Sequence, residues 1–181
     1  PIFLNKDSKL IAEIEQTEKI VNSLRDDITI FLVKLNKKDN QPETVKEIYK
    51  LLAIIKELEE IADIVNTNLI PKAKFWSNSN LEFSDEGKKE LESFHNHCVN
   101  HYISVLELMV SYDLQSVKKL KKSEKKTIKI AYKLEKSHFT RLIEENELSF
   151  KSSKTHIELI GLMQAITRHA TLIVRILYDF E

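Results

Sequence analysis

Residues 44–70 read TVKEIYKLLAIIKELEEIADIVNTNLI. From Ile48 the apolar residues fall at Leu51, Ile55, Leu58, Ala62, Val65 and Leu69, alternately three and four apart. That spacing is the seam of a helix packed along its length against others. Leu52, Ile54 and Ile61 widen the seam, so an inner position in a bundle is expected. Glu59 and Asp63, four residues apart, share one side of this helix at the seam's edge. Carboxylates buried at such an edge must be paired, protonated or metal-bound.

The flanking sequence extends the same pattern in both directions. Ile2, Phe3 and Leu4 form an apolar lead-in that can pack on the bundle, and Asp7 or Ser8 can cap a first long helix to about Leu35. Its expected buried face is Leu10, Ile14, Thr17, Val21, Leu24, Ile28, Phe31 and Leu35. Asn36 to Pro42 reads as a loop, and the second helix is expected to stop at Ile70-Pro71. A polar connector from Lys72 to Phe83 then carries the single tryptophan, Trp76. Ser84 followed by Asp85 and Glu86 opens a third helix through Met109, the two acids lying at the positive end of its dipole. Asp113 can cap a fourth, to about Glu145, with Leu120, Ile128, Ile130, Ala131, Leu134, Phe139 and Leu142 as its apolar positions. Asn146 to Ser153 reads as a loop before a last helix.

The totals agree with this reading. Two glycines and three prolines in 181 residues, with 31% charged, describe long helices. Lys+Arg and Asp+Glu are 28 each, so no basic excess argues for nucleic acid and no acidic excess for disorder. One cysteine excludes an intramolecular disulfide. No run of about 18 apolar residues is present. The chain opens at Pro1 and enters a helical pattern almost at once, as a soluble piece of a longer protein would. The expected fold is all-α: an antiparallel bundle of about five long helices in one domain, residues 1–181.

A repeat runs through it. Shifted by 110 residues, Leu10 meets Leu120, Thr17 meets Thr127, Ile20 meets Ile130 and Leu24 meets Leu134. Shifted by 105, Ile55 meets Ile160, Leu58 meets Met163 and Ile61 meets Ile166. Repeat one is about residues 1–112, and repeat two, about 113–181, would lack a third helix. In this register Glu59 corresponds to Gln164 and Asp63 to Arg168.

The stretch Lys56-Glu-Leu-Glu-Glu-Ile-Ala-Asp63 resembles the Leu-Glu-x-Ile-x-Asp motif of PhoU domains. Its continuation Ile64 to Leu69, with Phe83 to Leu91, His156 to Ile160 and Ile166 to Ile173, is similar to the variant fused behind bacterial sodium/phosphate cotransporters, in family order. The resemblance implies a two-repeat bundle beneath a membrane transporter. It would be regulatory rather than enzymatic, on the cytoplasmic side of the inner membrane, with the transporter's transmembrane portion as partner. Some PhoU proteins bind metal clusters (the candidates here being Zn, Fe, Mn, Ni or Mg) through Glu-x-x-x-Asp pairs. Only Glu59 and Asp63 keep that pattern, since Arg168 would repel a cation.

Three other features are candidates. An i, i+4 carboxylate pair can clasp a cation but needs further donors, for which Asp26 and Asp27 are available; pairing with lysines such as Lys56 is the alternative. His97, Cys98 and His101 can share one side of the third helix as a soft-metal site, against the plainer reading of a buried cysteine flanked by surface histidines. The lysines from Lys118 to Lys129 are a solvated face or a contact with anionic lipid. Nucleic acid is disfavoured because no aromatic residues interleave with them. His156 and His169 are expected to bond helix ends or neighbouring side chains rather than act as bases. An alternative to the regulatory reading is a metal-free bundle that forms a homodimer or docks a partner on unfilled seam positions.

Overall fold

A computed structural model describes residues 2–144 and 147–179. The helices are α1 (Ile2–Asn5), α2 (Ser8–Lys38), α3 (Pro42–Asp63), α4 (Ile70–Ser77), α5 (Asp85–Val110), α6 (Leu114–Ile143) and α7 (Glu147–Asp179). Among the described residues there is no strand. The caps follow from the sequence. Asp7 accepts from Lys9 N–H, Ser84 from Gly87 N–H at 3.2 Å, and Asp113 from Ser116 N–H at 2.8 Å. Gly87 belongs in that first turn of α5, because a Cβ there would stand 3.3 Å from Ser84 Oγ and 3.6 Å from His156 Cδ2.

Pro71 does not end the second helix. Between α3 and α4 the chain keeps turning as a π-helix, Ile64–Leu69, and Pro71 enters α4 in its first turn. A proline inside an α-helix lacks the N–H for the carbonyl four residues back and clashes with it. The wider π register, with Ile70 N–H bonding Val65 O, relieves that conflict. The expected connector shortens accordingly, and Trp76 is buried on α4, stacked on Phe83 with ring centroids 4.2 Å apart. Trp76 Nε1–H donates to Phe3 O at 2.9 Å, which ties α1 to the bundle. The other expected loops also shorten: α2 reaches Lys38, and α7 begins at Glu147. Glu145 and Asn146 lie outside the described residues.

The centre of the fold is α7. It packs against α6, α5 and α3, while α2 lies outside on α3 and α4. Ile160, Ala170, Ile173 and Val174 are fully buried. By length and mean hydropathy (1.3) α7 could cross a membrane, but here three neighbouring helices cover its central apolar residues, while Leu148 and Phe150 near its start stay exposed. One cluster joins Ile54 and Ile61 of α3 to Val105, Leu108, Leu120 and Ile173; a second gathers Trp76, Phe83, Phe94, Cys98 and Ile160.

Three expected faces are corrected. On α2, Leu10, Val21, Leu24, Ile28 and Phe31 are exposed, and only Ile11 and Leu32 are buried. The residues that meet α3 and α4 lie roughly a quarter-turn round the helix from the apolar stripe. On α6, Ile128 and Phe139 point outward, whereas Val117, Leu120, Thr127, Ala131, His138 and Arg141 are buried. Those buried positions fall on a three-four line, so its seam is partly polar. On α3, burial centres on Ile48, Ile54 and Ile61, while Leu51 is exposed.

Candidate functional site

The acidic pair sits where α2 crosses α3. Arg25 Nη1 donates to Glu59 Oε1, and its Nε and Nη2 donate to Asp26 Oδ1 at 3.1 and 2.9 Å. The Glu59 side chain is 39% exposed and Asp63 is exposed. Asp63 O accepts from Thr67 Oγ1–H at 2.6 Å in the π segment. Asp26, the expected further donor, is thus spent on the same guanidinium. A cation site there would need three or more convergent donors without a fixed positive charge among them. Among the described residues no group of three or more His, Cys, Asp or Glu side chains gathers in that way. As arranged, the residues do not fit a resident metal. The opposite pair, Gln164 and Arg168, lines a shallow depression with Glu124, Thr127 and Gly161.

The candidates on α5 are placed on different neighbours. His97 Nε2 lies 2.9 Å from Thr127 Oγ1 on α6, and His101 Nε2 lies 3.0 Å from Thr171 Oγ1 on α7. Each threonine hydroxyl donates to a backbone carbonyl four residues back, so it accepts from the imidazole N–H. Burial lowers the pKa of both histidines, His101 to about 4. Cys98 is buried in the second core cluster, and burial pushes its thiol up, away from the reactive thiolate.

A polar cluster buried at the α5–α6–α7 end is the site that sequence reading passed over. Arg141 grips Glu90 with two bonds, Nη1 to Oε1 at 3.0 Å and Nη2 to Oε2 at 2.7 Å, and Nη1 also reaches Ser137 Oγ at 3.0 Å. Burial works to raise the Glu90 pKa, but hydrogen bonds from Arg141 and Ser137 outweigh it and hold the carboxyl below its usual value. Beside it the His138 and His156 rings stack 4.6 Å apart, and His138 Nε2 is 2.8 Å from Ser153 Oγ. Both rings are only 1% exposed. His156 Nε2 is 3.6 Å from Glu90 Oε2, too far for a good hydrogen bond. Burial foremost lowers the pKa of both, helped by Arg141's charge on each and by His138 on His156, whose value falls to about 4. The signal was there: Leu134, His138 and Arg141 continue the three-four line of α6, and an arginine on a seam demands a carboxylate opposite. His169 does bond a neighbouring helix, with Nδ1 2.8 Å from Glu57 Oε2 on α3.

Along α6, Lys118, Lys119, Lys122, Lys125, Lys126 and Lys129 are exposed, and Lys121 Nζ lies 4.1 Å over the Tyr178 ring.

The PhoU domain family matches residues 2–67, a span that contains α2, the Glu59/Asp63 turn and most of the π segment. The PhoU likeness read from Lys56 to Asp63 therefore stands over residues 2–67, and the fold is an all-α, PhoU-like bundle. The chain is 22% identical over 156 residues to "Putative inorganic phosphate export protein YjbB" of Salmonella typhimurium strain LT2, covering 82% of this chain and 29% of that protein. The protein of the same name from Escherichia coli strain K12 is 23% identical over 154 residues, covering 85% and 28%. The chain thus spans less than a third of the length of these relatives. No solved structure gives a significant match.

Proposed function

We propose that this chain is the PhoU-like regulatory module of a sodium-dependent membrane protein that moves inorganic phosphate. It lies on the cytoplasmic side of the bacterial inner membrane and modulates phosphate passage. The observation that carries this reading is the PhoU match over residues 2–67, within a chain that resembles proteins named for phosphate export over most of its length. The inert placement of Cys98 and the engagement of His97 and His101 by threonines favour a regulatory over a catalytic role. Exposed lysines on α6 suit a surface next to anionic headgroups, each worth about 1 kcal/mol there. In this reading the module works through helix packing, because Arg25 already supplies the positive charge that a cation would bring to Glu59.

Phosphate flux through proteoliposomes holding the full-length protein, with and without this chain, tests the regulatory role. A change in flux on removal is expected; equal flux, or a full-length protein with no membrane-spanning portion, overturns it. Elemental analysis of chelator-free protein tests the metal question. Equal metal content in the protein and its Glu59→Ala/Asp63→Ala variant is expected, whereas stoichiometric metal lost in the variant would restore a metal role.

A further inference from the structure

Helix α6 turns its buried side chains toward α5 and α7, yet it carries a second apolar row on its outward side. Ile128, Tyr132, Phe139 and Ile143 follow one another at four, seven and four residues and are 50–82% exposed. At 3.6 residues per turn they fall within about a sixth of a turn of one line. Packing within this chain covers none of them. Helix α7 continues the surface: Phe150, Lys154, Gly161 and Arg168 share a line of that helix and are exposed. Gly161 and Arg168 border the same depression as Ile128, which sets the two lines side by side. An exposed apolar row rimmed by charge marks an interaction site.

Charge identifies the partner. Lys118, Lys125, Lys129 and Lys136 are exposed and lie within about a quarter-turn of the middle of the α6 row. Lys154 and Arg168 border it on the α7 side. Among the acids of α6 and the start of α7, Glu124 is held by Arg175 at 2.9 Å and Glu147 by Lys151 at 2.6 Å. That leaves Glu135 and Glu144 against the lysines. Lysines spread over about 27 Å of helix suit a continuous anionic surface, their ammonium groups reaching headgroups while the stems lie along the apolar row. The longer apolar row of α2 lacks this chemistry, since Lys9, Glu13, Asp27 and Lys34 put both signs along it. A strongly basic face beside aromatic and aliphatic side chains is the pattern of a helix lying in the plane of a bilayer surface. We infer that the α6–α7 face lies on an anionic lipid bilayer, with Tyr132, Phe139, Ile143 and Phe150 inserted at the boundary of headgroups and acyl chains. This deepens the functional reading above and rests on it for the presence of a membrane. It adds an apolar insertion to the lysine contact and fixes which face of the module meets lipid.

Co-sedimentation of the 181-residue chain with phosphatidylglycerol–phosphatidylcholine vesicles, against phosphatidylcholine alone, tests it. Binding to the anionic vesicles is expected, and Lys125→Gln/Lys129→Gln/Lys136→Gln should weaken it about a hundredfold. Phe139→Ala/Ile143→Ala should weaken it about tenfold or more with helical circular dichroism unchanged, whereas Leu24→Glu on α2 should leave it as it was. The indole introduced by Phe139→Trp should shift its emission to the blue on binding and be quenched by brominated acyl chains. Trp76, buried in the core, supplies an unshifted background. Absence of binding to the anionic vesicles overturns the inference. So does binding in which Phe139→Trp stays unquenched, or in which Phe139→Ala/Ile143→Ala changes nothing. Either failure is separate from that of the regulatory reading, which the flux experiment tests on its own.

Discussion

Helices α2 and α6, which a shift of 110 residues lays over one another, meet opposite fates. Leu120 is 4% exposed and its counterpart Leu10 is 38% exposed. Thr127 is buried where Thr17 is exposed, and Leu134 is half-buried where Leu24 is exposed. The difference lies in what covers them. Helix α5 makes its main contacts with α7 and α6, closing that half, while no third helix among the described residues closes α2 and α3 in the same way. Apolar periodicity marks which residues seek cover; it does not say whether the same chain supplies it. The ion pairs differ likewise. Arg141–Glu90 is sunk in the closed half, where charges interact strongly and are costly to leave alone, whereas Arg25–Glu59 sits at the wetter rim of the open half.

Four measurements can break or sharpen this contrast. The largest effect belongs to Arg141→Ala, which strands the Glu90 carboxylate in the closed half and should cost about 3–5 kcal/mol in urea unfolding. A loss near that of a surface pair would mean the cluster is hydrated and the half not closed. Next, Leu120→Ala should cost about 2–5 kcal/mol, while Leu10→Ala at the equivalent place should stay within about 1 kcal/mol. Equal costs would erase the distinction.

The third measurement is pH dependence. His101 and His156 have folded pKa values of about 4, and burial lowers His138 as well, against about 6.5 unfolded. Between those values the unfolded chain binds more protons, so stability is full above about pH 6.5 and falls as pH drops toward about 4. All three residues lie on the helices of the closed half. His156→Gln should flatten part of the fall in the urea midpoint, and an unchanged slope would remove His156 from the cause. The smallest effect is that of Arg25→Ala at the rim, an exposed pair whose loss should barely move the urea midpoint; a loss comparable to Arg141→Ala would show the rim to be as closed as the core.

Much of the fold was legible because its signals are local. Caps at Asp7, Ser84 and Asp113 and the three-four spacing give the helices and their antiparallel order without tertiary information. Pro71 misled because a proline's local preference is to break a helix, and the π register that rescues it depends on the turn before it. The α2 face misled because its exposure depends on where α5 goes, a matter of long-range packing. At the candidate site, the i, i+4 carboxylates were visible but Arg25 was not, since no sequence spacing places a side chain from one helix onto another 34 residues away. Thr127, His138 and Arg141 hid on a seam read for its apolar members alone.

Amide hydrogen exchange read by mass spectrometry, at a dilution that keeps the protein a single chain, tests the contrast between the halves most directly. The expected result is slow exchange across α6 and exchange faster by about a hundredfold or more across α2. Protection of α2 equal to that of α6 in the single chain would contradict it.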